Sequence, residues 1–392
     1  MSLFRGKISL HQWLSRSSTL ILASLILVAV PGEDFAKAAK ATKSTTTKAV
    51  KKTPTKVAAK SKKRVSRGVW RAPNYADSDL DDTLYGDDPV AREAAVDGLG
   101  KLNGAVVVTD ADTGRILTVV GQKTAFKSGF QPCSTIKIPV ALAALSESLV
   151  DRLTQIRLYG NTKVAMTEAL ARSNNQYFAS LGEKLGFERM SYYARLYGLG
   201  EKASLNIEEE QPGILPAKTP ASGMGMMTSF GDGITLTPLE YAGLIGAVAN
   251  GGTLYYLQYP KDQQEADSFE PKIKRKLNIE HLIPEIRPGM MGAVEYGTAR
   301  RIGFNNETPI YGKTGTCTDT RTPTHLGWFG SFTEIGHQHI VVVVMLTGGS
   351  AVSGGSAAGV AGQVYHNLLT SDFYEPAREN EHVASIDSHV SQ

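Results

Sequence analysis

The feature that most limits how this chain can fold is the placement of β-branched runs near both ends of a long body. Residues 104–109 (GAVVVT) and 116–120 flank the turn-forming segment DADTG, a pattern typical of a β-hairpin. Residues 309–317 and 326–333 predict two more strands. The unbroken apolar run at 339–347 (HIVVVVMLT) predicts a buried central strand. We therefore expect one sheet assembled from distant segments.

Helical apolar spacing lies between these two groups of strands. It predicts a helix at 134–150 behind a Ser/Thr start, a helix-rich stretch at 164–250 and a closing small-residue helix at 355–369. Strands at both ends with helices inserted between them predict an α+β fold in which the sheet carries a helical lobe. A cleft between the two lobes is where a site is expected.

The first 68 residues differ sharply in composition from the remainder. Residues 1–36 contain an apolar run of twelve residues behind basic ones, which predicts a signal peptide or a signal anchor and an extracytoplasmic body. Residues 37–68 contain ten Lys and two Arg without an acidic residue and show no apolar periodicity, so we expect a disordered basic linker. The whole chain carries +4 and residues 1–36 contribute +1, so residues 69–392 carry −9. An acidic body disfavours binding to nucleic acid.

The basic linker has two interpretations. It is either a flexible spacer or a segment that binds an anionic membrane or wall polymer, where each basic residue adds about 1 kcal/mol. The expected organisation is a signal segment at 1–36, the linker at 37–68, a folded domain at 69–375 and a polar tail at 376–392. Within the folded domain we expect a sheet lobe at about 95–133 and 285–370, and a helical lobe at about 150–250.

Ser134 and Lys137 lie three residues apart in QPCSTIKIP, at a predicted helix start. This spacing puts both side chains on one helix face. A buried Lys there can lose its charge and act as a base toward the Ser hydroxyl. The pattern alone is weak, because an exposed helix start with a Lys on its face has the same sequence.

The segment Lys313-Thr314-Gly315-Thr316 lies on a predicted edge strand. It places an amine and two hydroxyls beside a glycine, where the backbone of a ligand can approach closely. The arrangement suits a carboxylate, although an ordinary strand with a polar edge is the alternative.

Ser173 and Asn175, in ALARSNNQYFA, form a third candidate. A hydroxyl and an amide that reach into a cleft can relay a proton and hold a substrate carbonyl. The same pattern recurs at Ser204 and Asn206, where a loop-like context indicates a structural role.

The order of these motifs is more informative than any one of them. A Ser with Lys three residues later, then a Ser-containing triplet, then Lys-Thr-Gly on a late strand is the motif set of penicillin-recognising serine enzymes. The chain resembles the transpeptidase domain of penicillin-binding proteins over roughly residues 95–370. Supporting segments follow in the family's order: TEALARSNNQYFASLGEKLGFERMSYYARLYGLG, TSFGDGITLTPLEYAGLIGAVANGG, EYGTARR, IYGKTGTC and HLGWFGSFTE.

The resemblance implies a fold like that of β-lactamases and transpeptidases: a mainly antiparallel five-stranded sheet flanked by helices, plus an all-helical lobe. It also implies acyl transfer in peptidoglycan synthesis. Ser134 would attack the penultimate D-Ala carbonyl of a stem peptide with Lys137 as base. Ser173 and Lys313 would pass the proton to the leaving D-Ala, and the backbone N–H groups of Ser134 and Thr316 would form the oxyanion hole.

The resemblance further implies the binding residues and the partners. Asn175 would hold the acyl side-chain amide, and Thr314 and Thr316 would hold the terminal carboxylate beside Gly315. The expected partners are peptidoglycan stem peptides and β-lactam antibiotics, which acylate the same Ser. We expect no cofactor and no metal, because the eight His show no ligand spacing.

Two alternatives remain open at this point. The compact catalytic module also suits a serine β-lactamase, whose class A members use a Glu to hydrolyse the acyl-enzyme. Glu208, Glu209 and Glu210 lie in a polar stretch that we expect to be a solvated loop, so no equivalent Glu is assigned. The second alternative is a non-catalytic β-lactam sensor or wall-binding module.

The resemblance also bears on the two cysteines of the chain. If Ser134 and Thr316 donate to one oxyanion, their neighbours Cys133 and Cys317 must also lie close. A disulfide between them is then expected in an oxidising compartment. Certain class A β-lactamases that hydrolyse carbapenems have a bridge at the matching positions. Two free buried thiols are the alternative.

Overall fold

The computed structural model describes most of the chain after residue 70. The described ranges are 71–84, 86–127, 129–303, 308–319, 322–371 and 373. The expected signal segment, basic linker and polar tail therefore lie outside the described residues. Among the helices of the described ranges, none combines the length and the apolar character needed to cross a membrane.

Nine strands are found in the described part of the chain. They are β1 (Gly104–Asp110), β2 (Ile116–Val120), β3 (Ile156–Arg157), β4 (Lys163–Val164), β5 (Thr253–Tyr255), β6 (Ile273–Lys276), β7 (Tyr311–Asp319), β8 (Thr324–Ile335) and β9 (Gln338–Gly348). Five of them form an antiparallel sheet in the order β2–β1–β9–β8–β7. The other four form the pairs β3–β4 and β5–β6.

The sheet confirms the strand predictions. β1 and β2 form the expected hairpin, with Val107 opposite Val119. β9 lies in the middle of the sheet, as its unbroken apolar run predicts, and pairs with β1 from the first half of the chain. β7, which carries the Lys-Thr-Gly segment, is an edge strand. Within the described sheet, β7 therefore has a neighbouring strand on one side only.

Ten α-helices and four short 3₁₀ turns complete the described residues. The helices are α1 (Pro89–Leu99), α2 (Gln122–Ala125), α3 (Lys137–Ser146), α4 (Met166–Ala171), α5 (Asn175–Leu196), α6 (Met224–Phe230), α7 (Pro238–Ala249), α8 (Gln263–Asp267), α9 (Ile283–Glu295) and α10 (Gly354–Thr370). The 3₁₀ turns are Cys133–Ile136, Tyr159–Asn161, Glu280–Leu282 and Arg300–Ile302. Gly186, with φ 71°, interrupts the regular helical backbone of α5.

Helices pack on both faces of the sheet and create two apolar cores. α1 and α10 cover one face. α7 covers the other face, in an apolar core that also contains residues of α3, α4 and α5. Tyr241 of α7 meets the Trp328 ring edge-on, with centroids 6.2 Å apart. A side chain at Gly330 would collide with Tyr241, because its Cβ would lie 2.2 Å from the ring. This packing places α7 with the sheet, whereas the sequence grouped it with the helical lobe.

Candidate active site

The nucleophile candidate lies in the 3₁₀ turn that leads into α3. The main-chain N–H and the hydroxyl of Thr135 both donate to the Pro132 carbonyl, at 3.1 and 2.7 Å, which closes the turn. Lys137 then begins α3, and its Nζ lies 2.8 Å from Ser134 Oγ. The Lys137 side chain is fully buried and Ser134 is 8% exposed. The three-residue spacing therefore produces direct contact between the two side chains.

Lys137 Nζ lies at the centre of the constellation. It contacts Ser134 Oγ, and it lies 3.0 Å from both the hydroxyl and the carbonyl oxygen of Ser173 and 2.5 Å from Asn175 Oδ1. Burial, and secondly the charge of Lys313, lower the pKa of Lys137 to about 6. A neutral amine has two N–H donors and one lone pair. It can therefore donate to two of these oxygens and accept the Ser134 proton.

Ser173 and Asn175 come from the junction of α4 and α5. Ser173 has a left-handed backbone with φ 56°, held by the Asn174 N–H, which donates to the Ala169 carbonyl at 2.8 Å. The Asn174 side chain caps α5 by accepting from the Tyr177 N–H. This junction turns the Ser173 hydroxyl toward both amines of the site.

Lys313 reaches the same hydroxyl from the edge of the sheet. Its Nζ lies 2.9 Å from Ser173 Oγ and 2.9 Å from the Thr314 carbonyl oxygen. The side chain is fully buried, and this burial lowers the pKa of Lys313 to about 7. Three segments that are far apart in sequence therefore converge on one group of hydrogen bonds.

The rest of the Lys-Thr-Gly segment passes close to the nucleophile turn. A Cβ on Gly315 would lie 2.9 Å from the Pro132 carbonyl oxygen, so a side chain at this position would push β7 away from the turn. Thr316 is exposed, and its hydroxyl accepts from the Gly354 N–H at 2.7 Å. Thr314 is only 4% exposed, and its hydroxyl lies 2.5 Å from that of Thr298.

A disulfide joins the two sides of the site. The structure contains the Cys133–Cys317 bond expected from the sequence, with Cα atoms 5.5 Å apart across 184 residues of chain. Since Cys133 precedes Ser134 and Cys317 follows Thr316, the main chains of these two residues lie in neighbouring segments. This proximity is what an oxyanion hole built from both N–H groups requires.

Glu210 corrects one expectation from the sequence. Glu208 and Glu209 are exposed as expected, but Glu210 is fully buried. Its carboxylate accepts from the main-chain N–H groups of Ala203 and Ser204, at 2.8 and 2.9 Å, and from the Ser204 hydroxyl. Ser204 therefore has the structural role expected for it. The Glu210 carboxylate stabilises its own loop through these hydrogen bonds instead of facing solvent.

Sequence reasoning assigned no role to two residues that border the site. They are Thr298, which bonds Thr314, and Gly354, whose N–H binds Thr316. Thr298 lies in the supporting segment EYGTARR, and the Gly-Thr pair of that segment is the sequence signal that points to it. No sequence signal points to Gly354, because its role depends on where α10 begins relative to β7.

Known proteins match the region of the chain that contains these site residues. The family model described as "Penicillin binding protein transpeptidase domain" matches residues 104–369. Stage V sporulation protein D of Bacillus subtilis is 27% identical over 286 residues, which cover 65% of this chain and 44% of that protein. Peptidoglycan D,D-transpeptidase MrdA of Acinetobacter baumannii is 25% identical over 360 residues, which cover 71% and 52%. The chain spans about half the length of these curated relatives.

Solved structures show the same fold. Pseudomonas aeruginosa PBP2 in complex with WCK 5153 superposes with a TM-score of 0.64 at 23% identity, covering 74% of this chain and 76% of that one. PBPA from Mycobacterium tuberculosis superposes with a TM-score of 0.60 at 21% identity, covering 72% and 80%. The five-stranded sheet with its helices is thus the fold of these proteins.

Proposed function

The chain belongs to the penicillin-binding protein transpeptidase family, and we propose that it is a serine D,D-transpeptidase or D,D-carboxypeptidase acting on peptidoglycan stem peptides that end in D-Ala-D-Ala. One observation carries the proposal: Ser134 Oγ lies 2.8 Å from a buried Lys137 amine whose pKa is lowered to about 6. At neutral pH this amine is mostly unprotonated, as a general base must be. Such a pair can generate a nucleophilic serine without a histidine.

In the first step, Ser134 Oγ attacks the carbonyl carbon of the penultimate D-Ala while its proton passes to Lys137. The oxyanion that forms is stabilised by the main-chain N–H groups of Ser134 and Thr316, a contribution of roughly 3 kcal/mol per donor in related chemistry. The proximity of these two segments, fixed by the Cys133–Cys317 bond, supports this role.

In the second step, the bond to the terminal D-Ala breaks and its nitrogen needs a proton. Ser173 Oγ lies 3.0 Å from Lys137 Nζ and 2.9 Å from Lys313 Nζ, so it can relay the proton toward the leaving amine. The acyl group stays on Ser134 as an ester. An amine of a second stem peptide then attacks the ester to form a crosslink, or water attacks it to give a trimmed peptide.

A β-lactam would acylate Ser134 by the same first step, and the adduct should persist. Within the described residues, no Asp or Glu carboxylate is hydrogen-bonded to Ser134, Lys137, Ser173 or Lys313. Glu210, the buried candidate, is occupied by Ala203 and Ser204. Among the described residues, these four side chains therefore have no carboxylate partner that could activate a hydrolytic water, which favours a transpeptidase over a β-lactamase.

The N-terminal sequence supports an extracytoplasmic location. Residues 1–36 have the composition of an export signal, and the twelve basic residues at 37–68 suit contact with an anionic membrane or wall polymer. A disulfide beside the nucleophile also suits an oxidising compartment.

Labelling with a fluorescent penicillin tests the proposal. The protein should form a covalent adduct that survives for minutes, release D-Ala from a pentapeptide and turn over nitrocefin slowly or not at all. Ser134→Ala should abolish the label, and a label that survives in this variant would place the nucleophile elsewhere. Rapid loss of the adduct with fast nitrocefin turnover would support the β-lactamase alternative. A stable adduct without D-Ala release would support the sensor alternative.

A further inference from the structure

A cavity of about 340 Å³ opens at the end of the sheet where β7 begins and β8 turns into β9. Arg287 of α9, Tyr311 of β7 and Phe332 of β8 contribute to its wall. Cavities that bind small molecules start at roughly 300 Å³, so this one is large enough for a compact ligand. None of the described residues that line it takes part in the mechanism above.

Arg287 brings a positive charge to this cavity without a partner of opposite charge. Its side chain is half-buried, and among the described residues no carboxylate forms an ion pair with it. One of its terminal nitrogens donates to the Ala249 carbonyl at 3.2 Å, and its Nε is buried without a hydrogen-bond partner. A guanidinium has five N–H donors, so the protein leaves most of them unused. Because burial of an uncompensated charge costs free energy, an anion in the cavity is favoured.

Two aromatic rings hold the Arg287 guanidinium in place. Its central carbon lies 5.3 Å from the ring centroid of Tyr311 and 5.4 Å from that of Phe332. The two rings are themselves stacked, with centroids 5.0 Å apart. Such cation–π contact fixes the plane of the guanidinium, whose N–H groups form the fork that binds a carboxylate through two hydrogen bonds. The half-buried Tyr311 ring adds an apolar surface beside the charge.

The other described charged groups at the cavity lie beside groups of opposite type. His339 Nδ1 lies 3.0 Å from a carboxylate oxygen of Asp112, and the exposed His337 lies 3.9 Å from Glu334. Each histidine therefore has an acid that offsets any positive charge on its ring. Arg287 is left as the source of net charge, which suits a ligand with one negative charge, such as a carboxylate, better than a phosphate dianion.

We propose that this cavity binds a small monoanionic ligand in which a carboxylate adjoins an aromatic or apolar body. The carboxylate binds the Arg287 guanidinium, and the body packs against Tyr311. Because Tyr311 lies two residues before Lys313 on β7, the cavity is a second site on the strand that also serves catalysis. The inference goes beyond the proposed function and does not rest on it, since neither Arg287 nor Tyr311 takes part in acylation of Ser134.

The test compares benzoate with benzamide, a neutral molecule of nearly the same shape. Each is titrated into the full chain, both free and after acylation of Ser134 with benzylpenicillin, which fills the active site. Binding is followed by NMR through the ring protons of His339, which are assigned with the variant His339→Gln. Benzoate should shift these resonances with a Kd of about 1 mM, as expected for so small a ligand. Benzamide should bind about 10-fold more weakly, because it lacks the charge.

Three variants assign the binding to Arg287. Arg287→Met keeps an unbranched side chain that can pack on the two rings, and it should weaken benzoate binding about 10-fold without changing that of benzamide. Arg287→Lys keeps the charge but loses the planar fork, so its loss should be about 3-fold. Arg189→Met, which removes an exposed charge that pairs with Glu147 at 3.0 Å, is the matched control and should bind both compounds normally. The Tm of each variant checks that it is folded.

The outcomes separate the inference from the proposed function. Benzoate binding that Arg287→Met leaves unchanged overturns the inference, and so does equal binding of benzoate and benzamide, which indicates an apolar cavity without selectivity for anions. Binding to the free protein that disappears after acylation places benzoate in the active site and also overturns it. If Ser134 is not acylated, the proposed function is wrong, whereas titration of the free protein and of Arg287→Met still tests the cavity.

Discussion

At the scale of single residues, the site is organised around one hydroxyl shared by two buried amines. Ser173 Oγ lies between Lys137 and Lys313, and the φ of 56° at Ser173 is uncommon for a residue with a side chain. Conformations of this kind cost free energy and persist only where neighbouring contacts hold them. Here the Ser173 N–H donates to the Leu170 carbonyl, and the Lys137 amine binds the Ser173 carbonyl. The Lys137 amine, which contacts the Ser173 hydroxyl, therefore also helps to hold the strained backbone of Ser173.

The lowered pKa of Lys137 predicts the pH dependence of acylation. The amine is a base only when neutral, and its pKa is about 6, so the rate should rise as the pH increases through 6 and then level off. At pH 5 the rate should be about 10-fold below the plateau. The measurement is the second-order rate constant for a fluorescent penicillin between pH 5 and 8.

The control for this profile is Lys137→Arg. A guanidinium stays protonated across the whole range, so this variant should be almost unreactive at every pH. A profile in the unmodified protein that is flat from pH 5 to 8 would show that the titrating base is not Lys137. Because Lys313 contacts the same Ser173 hydroxyl as Lys137, the pH midpoint of the acylation rate reflects the titration of both amines together.

At the scale of secondary-structure elements, Glu240 connects α7 to the loop before α6. Its carboxylate accepts from three main-chain N–H groups, those of Gly200, Gly213 and Thr237, at 2.8, 2.9 and 2.8 Å. The Thr237 hydroxyl accepts in return from the Glu240 N–H, which completes a capping box at the helix start. Burial raises the pKa of Glu240 to about 7. One side chain therefore satisfies donors from three segments.

Removal of this carboxylate should destabilise the fold strongly. Glu240→Ala leaves three main-chain N–H groups without this acceptor, and those of Gly213 and Thr237 are buried, at a cost of roughly 1 kcal/mol or more each. We expect the free energy of unfolding to fall by about 3 kcal/mol, measured by urea denaturation. Glu209→Ala, at an exposed residue of the same loop, should change it by less than about 0.5 kcal/mol. Similar small effects for both variants would contradict the role assigned to Glu240.

The disulfide links two elements that the chain itself keeps far apart. It closes a loop across 184 residues, and the chain-entropy model gives an upper bound of about 5 kcal/mol for its contribution to stability. Reductant should therefore lower the Tm of the unmodified protein and slow its acylation, since Ser134 and Thr316 lose their shared anchor. The double variant Cys133→Ser with Cys317→Ser should show both effects without reductant and no further response to it. A Tm and rate that ignore reductant would contradict this role.

How far the sequence predicts these elements depends on the kind of information each one needs. The strands of the sheet were predictable, because β-branched runs identify a strand without reference to its partner. The partner of α7 was not, because all twelve of its residues are buried and a helix that is apolar all round except for Glu240 has no distinct face to indicate what covers it. The motif residues were predictable only through their order along the chain.

The remaining residues of the site depend on contacts that the local sequence does not encode. Glu210 lies in a polar stretch but is buried, because main-chain N–H groups of its own loop fold back onto it. Thr298 bonds a residue sixteen positions away, and Gly354 bonds one thirty-eight positions away. Such contacts follow from the packing of α9 and α10 against β7, which only the folded chain defines.

At the scale of the whole molecule, folding buries two amines that unfolding returns to water. The pKa values of Lys137 and Lys313 fall from 10.5 to about 6 and about 7 on folding. The unfolded chain therefore binds more protons than the native protein between about pH 7 and pH 10. The contribution of these two groups to the free energy of unfolding must therefore increase with pH across this interval. The catalytic arrangement is thus destabilising at neutral pH, and the rest of the fold must offset that cost.

The contribution of Lys137 can be isolated with Lys137→Met, an unbranched apolar replacement. The difference in unfolding free energy between the unmodified protein and this variant should rise between pH 7 and pH 10. Only the unmodified protein has the Lys137 amine, which binds a proton when the chain unfolds, and a rising pH makes that proton binding less favourable. The slope can reach about 1.4 kcal/mol per pH unit for one group. Urea denaturation at pH 7, 8, 9 and 10 gives this difference directly, and titrating groups that do not interact with Lys137 cancel in it. A difference that stays constant over the range would mean that Lys137 remains charged when folded, and the mechanism would then lack its base.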